Sequence, residues 1–144
     1  MTLKMIKIGA TGEQLPADAK EWVAVELPDH GLVFSAASVV DSDVPHAKCE
    51  AACAALTLTG HSDWDLPSIG ELQLLIDRSR SSPAINVDFF PTTKNDWYWT
   101  KTPAAWSAAS AWVVDFDYGS VSYDHRSDSG FALAVRRPGQ SLAL

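Results

Sequence analysis

The chain has 144 residues, 47% of them hydrophobic and 20% charged, with a formal net charge of −7 and a pI near 4.8. That composition excludes a disordered chain. The lack of any Lys/Arg run excludes the concentrated basic patch that a nucleic-acid reader needs to neutralise phosphates, and no apolar run approaches the roughly 20 residues of a membrane span.

One domain is expected over residues 1–144, with its core at about 22–137. The opening Met1, Thr2, Leu3, Lys4, Met5, Ile6, Lys7 and Ile8 is interrupted by two lysines and leads into no apolar core. No secretory signal is therefore expected. Residues 1–35 read as short strands and turns. The stretch from Glu21 to Leu27 alternates, setting Trp22 apart from Val23, Val25 and Leu27. Pro28, Asp29, His30 and Gly31 signal a turn before a second strand at Leu32, Val33 and Phe34, so a hairpin is expected.

A first helix is expected from about His46 to Leu58. Asp41, Ser42 and Asp43 offer capping oxygens, Pro45 suits the first turn and Gly60 the end. Ala47, Ala51, Ala54, Ala55 and Leu58 would form its small apolar face. Cys49 and Cys53 share one face at i, i+4, a spacing poorly matched to a disulfide. Without nearby His they make a weak zinc site, and they read as two small buried residues. A second helix should start after Pro67, where Ser68 and Glu71 form a capping box. Leu72, Leu75 and Ile76 recur at helical spacing, and the helix should run to about Arg78.

Beyond Pro83 the pattern turns to strands. Trp97, Tyr98, Trp99 and Thr100 read as one. From Trp112 onward, Trp112, Val114, Phe116 and Tyr118 point to one side and Asp115 and Asp117 to the other. Phe131, Leu133 and Val135 mark one face of a closing strand. Two helices between early and late short strands make an α+β domain.

The order of these features resembles the DUF1566, or Lcl C-terminal domain, family of the C-type-lectin-like group. The family phrase Trp-Arg-Leu-Pro-Thr-x-x-Glu-Leu is met by Trp64, Asp65, Leu66, Pro67, Ser68, Glu71 and Leu72, with Asp65 in place of Arg. Cys53 matches a Cys-bearing helix before it. Ala84, Ile85, Phe90 and Pro91 match the next phrase. Tyr98, Trp99, Thr100, Lys101 and Thr102 match Tyr-Trp-Thr-Ser-Thr with one change, at Lys101. Val135 and Arg136 match the closing Val-Arg, and Gly31 to Phe34 matches an early Gly-Leu-x-Trp. The resemblance implies a C-type-lectin-like fold of two helices with short twisted antiparallel strands, which serves as a scaffold for ligand-binding loops. With Asp65 for Arg, the surface beside Trp64 is expected to differ from that of the family. The motif itself is read as fold-building: Trp64 and Leu66 as core anchors, Pro67 as a stiffener.

The densest polar stretch, residues 117–130, is expected to lie between two late strands, with 118–128 as its contact loop. Its Tyr118, Ser120, Ser122, Tyr123, Asp124, His125, Arg126 and Asp128 are the candidate ligand contacts: aromatic rings give area and small polar groups give hydrogen bonds. The run also resembles the retroelement-diversified loops of some phage and bacterial C-type-lectin-like proteins, with an ordinary exposed hairpin as the alternative. Trp106 is a second candidate contact, or else a core plug. Ser122, His125 and Asp128 could be recruited as a hydrolase trio, but no nucleophile elbow accompanies them. Formylglycine-generating enzymes of this broad fold use late cysteines, and no Cys follows Cys53. No enzyme is expected. No cofactor is expected either; calcium is the alternative, with Asp115, Asp117, Asp124 and Asp128 as oxygen ligands.

The expected function is a non-catalytic binding module for a carbohydrate or protein surface, set in a phage tail or receptor-binding component. It would be made in the cytoplasm and assembled into the virion. The alternatives are a structural or assembly protein that associates with itself, and a small intracellular inhibitor of a host protein. Neither nucleic acid nor membrane insertion is expected among the partners.

Overall fold

The computed structural model describes residues 3–138. The two ends of the expected domain, including Met1 and Thr2 of the opening stretch, lie outside the described residues. No helix among the described residues is long and apolar enough to cross a membrane.

Short alternating segments build the first sheet. β1 (Ile6–Ile8) pairs antiparallel with β2 (Gln14–Leu15) and with β3 (Ala24–Leu27). The expected hairpin follows: β3 pairs with β4 (Leu32–Ser35), with Leu27 opposite Leu32. Gly31 closes the turn at a φ of 64°, which side-chain-bearing residues rarely adopt. β5 (Trp97–Ala104), β6 (Ser107–Asp115) and β7 (Ser120–His125) form a separate antiparallel meander. β8 (Val135–Arg136) returns to β4, giving the five-stranded order β2-β1-β3-β4-β8. Two short helices between antiparallel sheets make the protein α+β.

α1 (His46–Ala55) departs from expectation in three ways. Pro45 is its N-cap and no side chain caps it. It stops at Ala55, while Gly60 sits in a later turn closed by Leu58 and His61. Ala47, Ala51, Ala54 and Ala55 are exposed, and the buried face is His46, Cys49 and Cys53. A methyl group gains little by burial, so the larger His and Cys side chains decide which face turns inward. α2 (Ile69–Leu72) has the expected capping box: Ser68 Oγ accepts from Glu71 N and Glu71 Oε1 accepts from Ser68 N. It is shorter than expected, tightening into a 3-10 turn over Gln73–Leu75. Leu72, Leu75 and Ile76 are buried all the same.

The core has two clusters. One gathers Val25, Leu27, Phe34, Leu72, Ile85, Phe90, Tyr98, Val114 and Phe116. The other gathers Cys49, Cys53, Trp64, Leu66, Trp99, Ala111 and Val113. Trp64 and Leu66 are thus anchors, as the motif implies. The segment 130–136 runs between the clusters, with Phe131, Leu133 and Val135 in the first and Ala132 and Ala134 in the second. Its backbone bonds to Val44, Trp97, Trp99, Val39, Ser35 and Asp65 in turn. This one segment ties both sheets and the α2 approach together.

Candidate functional site

The run 118–128 is not a loop. Its centre is β7, paired residue for residue with β6 from Asp115 opposite Ser120 to Ser110 opposite His125. Polar alternation hid the strand: one face carries Val121, Tyr123 and His125, the other Ser120, Ser122 and Asp124. Tyr118 lies in the turn before it and is 74% exposed. It therefore does not continue the inward face of Trp112, Val114 and Phe116. Gly119 reaches a φ of 81° there, and an added Cβ would stand 2.9 Å from Ile76 Cγ2. Arg126, Ser127 and Asp128 lie beyond the far end of the strand.

Strand pleating separates the candidates. Ser122 and His125, three residues apart on one strand, face opposite sides, so the hydrolase trio does not converge. His125 Nδ1 instead meets Ser127 Oγ at 2.6 Å. The calcium quartet divides as well. Asp115 and Asp117 flank the Tyr118 turn, whereas Asp124 pairs with Ala111, four positions away and thus about 13 Å along β6. Among the described residues no group of three or more His, Cys, Asp or Glu could hold a metal. Asp124 is held above the usual carboxylate range, first by partial burial and then by the neighbouring Asp128 carboxyl.

Arg126 turns inward. Its Nη1 lies 3.2 Å from Nδ1 of His46, which is fully buried. His46 Nε2 meets the Thr100 carbonyl at 2.9 Å. A carbonyl only accepts, so Nε2 carries the proton and Nδ1 accepts from Arg126. Burial first and Arg126 second hold His46 below its ordinary pKa, against the Thr100 carbonyl and Glu50.

The structure does bring Tyr123 and Trp106 together. Ala104 pairs with Ser107, which leaves Ala105 and Trp106 as the tip of the β5–β6 hairpin. Trp106 is 61% exposed, so it is no core plug. Its ring stands edge-to-face on Tyr123, centroids 4.8 Å apart, and on Trp112 at 5.8 Å. Trp112 and Tyr123, opposite each other on β6 and β7, close the triangle at 6.0 Å. Alternation sets Trp112 on one side of its strand with Val114 and Phe116. Only half of that face is covered: Val114 is buried, while Trp112 is half-buried and Tyr123 is 49% exposed. The one available signal was the even spacing of Trp106 and Trp112 along the chain, which suits one side of a strand.

This aromatic triangle is raised, not hollow. Clefts of about 640, 1040 and 290 Å³ lie elsewhere, the first and third beside Trp22 and the second along residues 74–80. None of the three is lined by Trp106, Trp112 or Tyr123. A platform of this shape suits contact with a surface better than enclosure of a small molecule.

The Lcl C-terminal domain family matches the chain over residues 24–136. No curated protein matches it.

Proposed function

The chain belongs to the Lcl C-terminal domain family, and on that premise we propose that it is a non-catalytic binding module that engages a carbohydrate or protein surface through Trp106, Trp112 and Tyr123. The exposed aromatic triangle carries this reading. Burying a large apolar side chain contributes about 1.5–3 kcal/mol, which a Trp left on a hairpin tip forgoes in the free protein and regains on a partner. Exposed aromatic patches mark interaction sites, and rings that hold one another edge-on lose little freedom on binding. The separation of Ser122 from His125 supports the non-catalytic part, and that of Asp115 from Asp124 supports binding without a metal.

The proposal includes a C-type-lectin-like scaffold in a virion. The scaffold part is supported by the first and last strands sharing one sheet while a separate meander presents the exposed face. The same patch favours one second reading, self-association within a larger assembly, and sedimentation at several concentrations separates the two. The direct test is glycan-array and cell-surface binding. Trp106→Ala and Tyr123→Ala should each weaken binding at least tenfold with folding retained, and Tyr118→Ala, at the opposite end of β7, should not. Binding unchanged by a Trp106→Ala, Tyr123→Ala double variant overturns the assignment.

A further inference from the structure

β7 is the outer strand of its sheet, and hydrogen-bond parity identifies which of its groups face away from β6. Thr100 Oγ1 donates to the Trp112 carbonyl, and Phe116 N donates to Asp96 O, so even-numbered residues of β6 turn toward β5. Its odd-numbered residues therefore turn toward β7 and bond Ser120, Ser122 and Asp124, their register partners. Arg126 N donating to Ala109 O continues that parity. Val121, Tyr123 and His125 consequently aim their N–H and C=O groups outward.

His125 is closed off: its N–H goes to Asp124 Oδ1, and its C=O accepts from Asp128 N. Among the described residues nothing takes the outward groups of Val121 and Tyr123. Natural sheet edges are normally blunted by bulges, prolines or charges. Here the far end is blunted and the centre is left open, directly beside the aromatic triangle.

We infer that this open edge accepts an extended polypeptide segment as an added strand, in which apolar residues alternate with Lys or Arg. The inference rests on the binding reading of the same face and names its ligand class. Main-chain bonds to Val121 and Tyr123 would hold the segment, and its alternate side chains would fall on the two faces of β7. On one face they meet Val121, Tyr123 and Trp106. On the other they meet Ser122 and Asp124, with Asp128 beside it. Two crowded carboxylates and a net charge of −7 favour a cationic occupant. A second copy of the chain would bring the same acidic pair and the same net charge, so a basic partner is preferred to self-pairing.

The test uses a capped seven-residue peptide alternating Lys and Val, titrated into the full chain and followed by tryptophan fluorescence. Saturable binding is expected, weakened at least tenfold by N-methylation of the peptide amides on one edge and weakened by salt. A Glu/Val peptide should not bind. Val121→Pro deletes an outward N–H, and the valine side chain with it, while sparing the bonds to β6, at a position where edge strands tolerate proline, and should weaken binding at least as much. The N-methyl peptide keeps the test valid if that variant fails to fold. Indifference to N-methylation, or no binding of the Lys/Val peptide, overturns the inference. So does self-association that Val121→Pro abolishes. If glycans bind through Trp106 while the peptide does not, the strand-addition inference fails and the binding reading stands. If neither ligand nor any cell surface binds, both fail.

Discussion

Lys101 Nζ stands 2.7 Å from Asp65 Oδ2, and both are residues at which the chain leaves the family phrases. Where the family has Arg and Ser, this protein has an acid and a base that face each other. Arg137 joins them, 2.9 Å from Asp65 and bonded twice to Glu71 at 2.6 and 2.7 Å. Burial favours neutral Asp65 and Glu71, but bonds from Lys101 and Arg137 outweigh it and hold both below the usual carboxylate range. The surface beside Trp64 thus carries an ion network of Asp65, Lys101, Arg137 and Glu71.

A double-mutant cycle on Asp65 and Lys101 should give a coupling of only about 0.2–1 kcal/mol, because both side chains are well exposed. Arg137→Ala should cost more, about 1–3 kcal/mol, since it strands the largely buried Glu71 carboxylate. Asp65→Arg should destabilise more than Asp65→Ala, because the new guanidinium faces both Lys101 and Arg137. Urea unfolding checks the order, and an Asp65→Arg protein as stable as the parent contradicts it.

Acid should weaken the fold in two stages. His46 has a folded pKa below its unfolded value of about 6.5, so the unfolded chain takes up the proton first. That contribution is complete above about pH 6.5 and is lost as pH falls through the folded value. Asp65 and Glu71 are also depressed; their contribution is complete above about pH 4.5 and is lost below it. His46→Gln should flatten the first stage and leave the second. Thermal unfolding across pH 7.5 to 3 reads both, and an unchanged upper stage in His46→Gln refutes the assignment.

Cys49 and Cys53 are unpaired, and burial pushes both thiols up to about 12. At pH 8 only about one thiol in ten thousand is then a thiolate, the reactive form. A thiol-disulfide reagent should label neither residue in the folded protein and both in guanidinium. One equivalent reacting at the rate of a free thiol would contradict this.

Gly119 and Gly60 offer a matched pair. Their φ angles are 81° and 78°, but a Cβ at Gly119 meets Ile76 and Ala84, whereas one at Gly60 meets nothing within 4 Å. Gly60→Ala should cost about 1 kcal/mol of backbone strain. Gly119→Ala should add a packing clash and cost roughly 1–3 kcal/mol more. Equal losses in chemical denaturation would show that the close approach carries no cost.

What the sequence reveals depends on how local the cause is. The Ser68–Glu71 capping box and the β3–β4 turn are each decided by a few adjacent residues, and both stand where expected. The face of α1 depends on what lies opposite, and counting Ala as apolar picked the exposed side. β7 escaped notice because an edge strand with solvent on much of both faces has no apolar period to detect. Trp112 was placed on the correct side of its strand, yet alternation cannot say how far along that side the core extends. Of the contact candidates, the structure brings Tyr123 and Trp106 together and scatters the others, since pleating divides a contiguous run between two faces.

The segment 130–136 gives the protein a late-closing topology. β5, β6 and β7 are neighbours in sequence, so their pairing closes only short loops. The five-stranded sheet cannot finish until β8 emerges, about a hundred residues after the β4 strand it joins. Until then the meander of β5, β6 and β7 stands beside a sheet that lacks its edge strand β8.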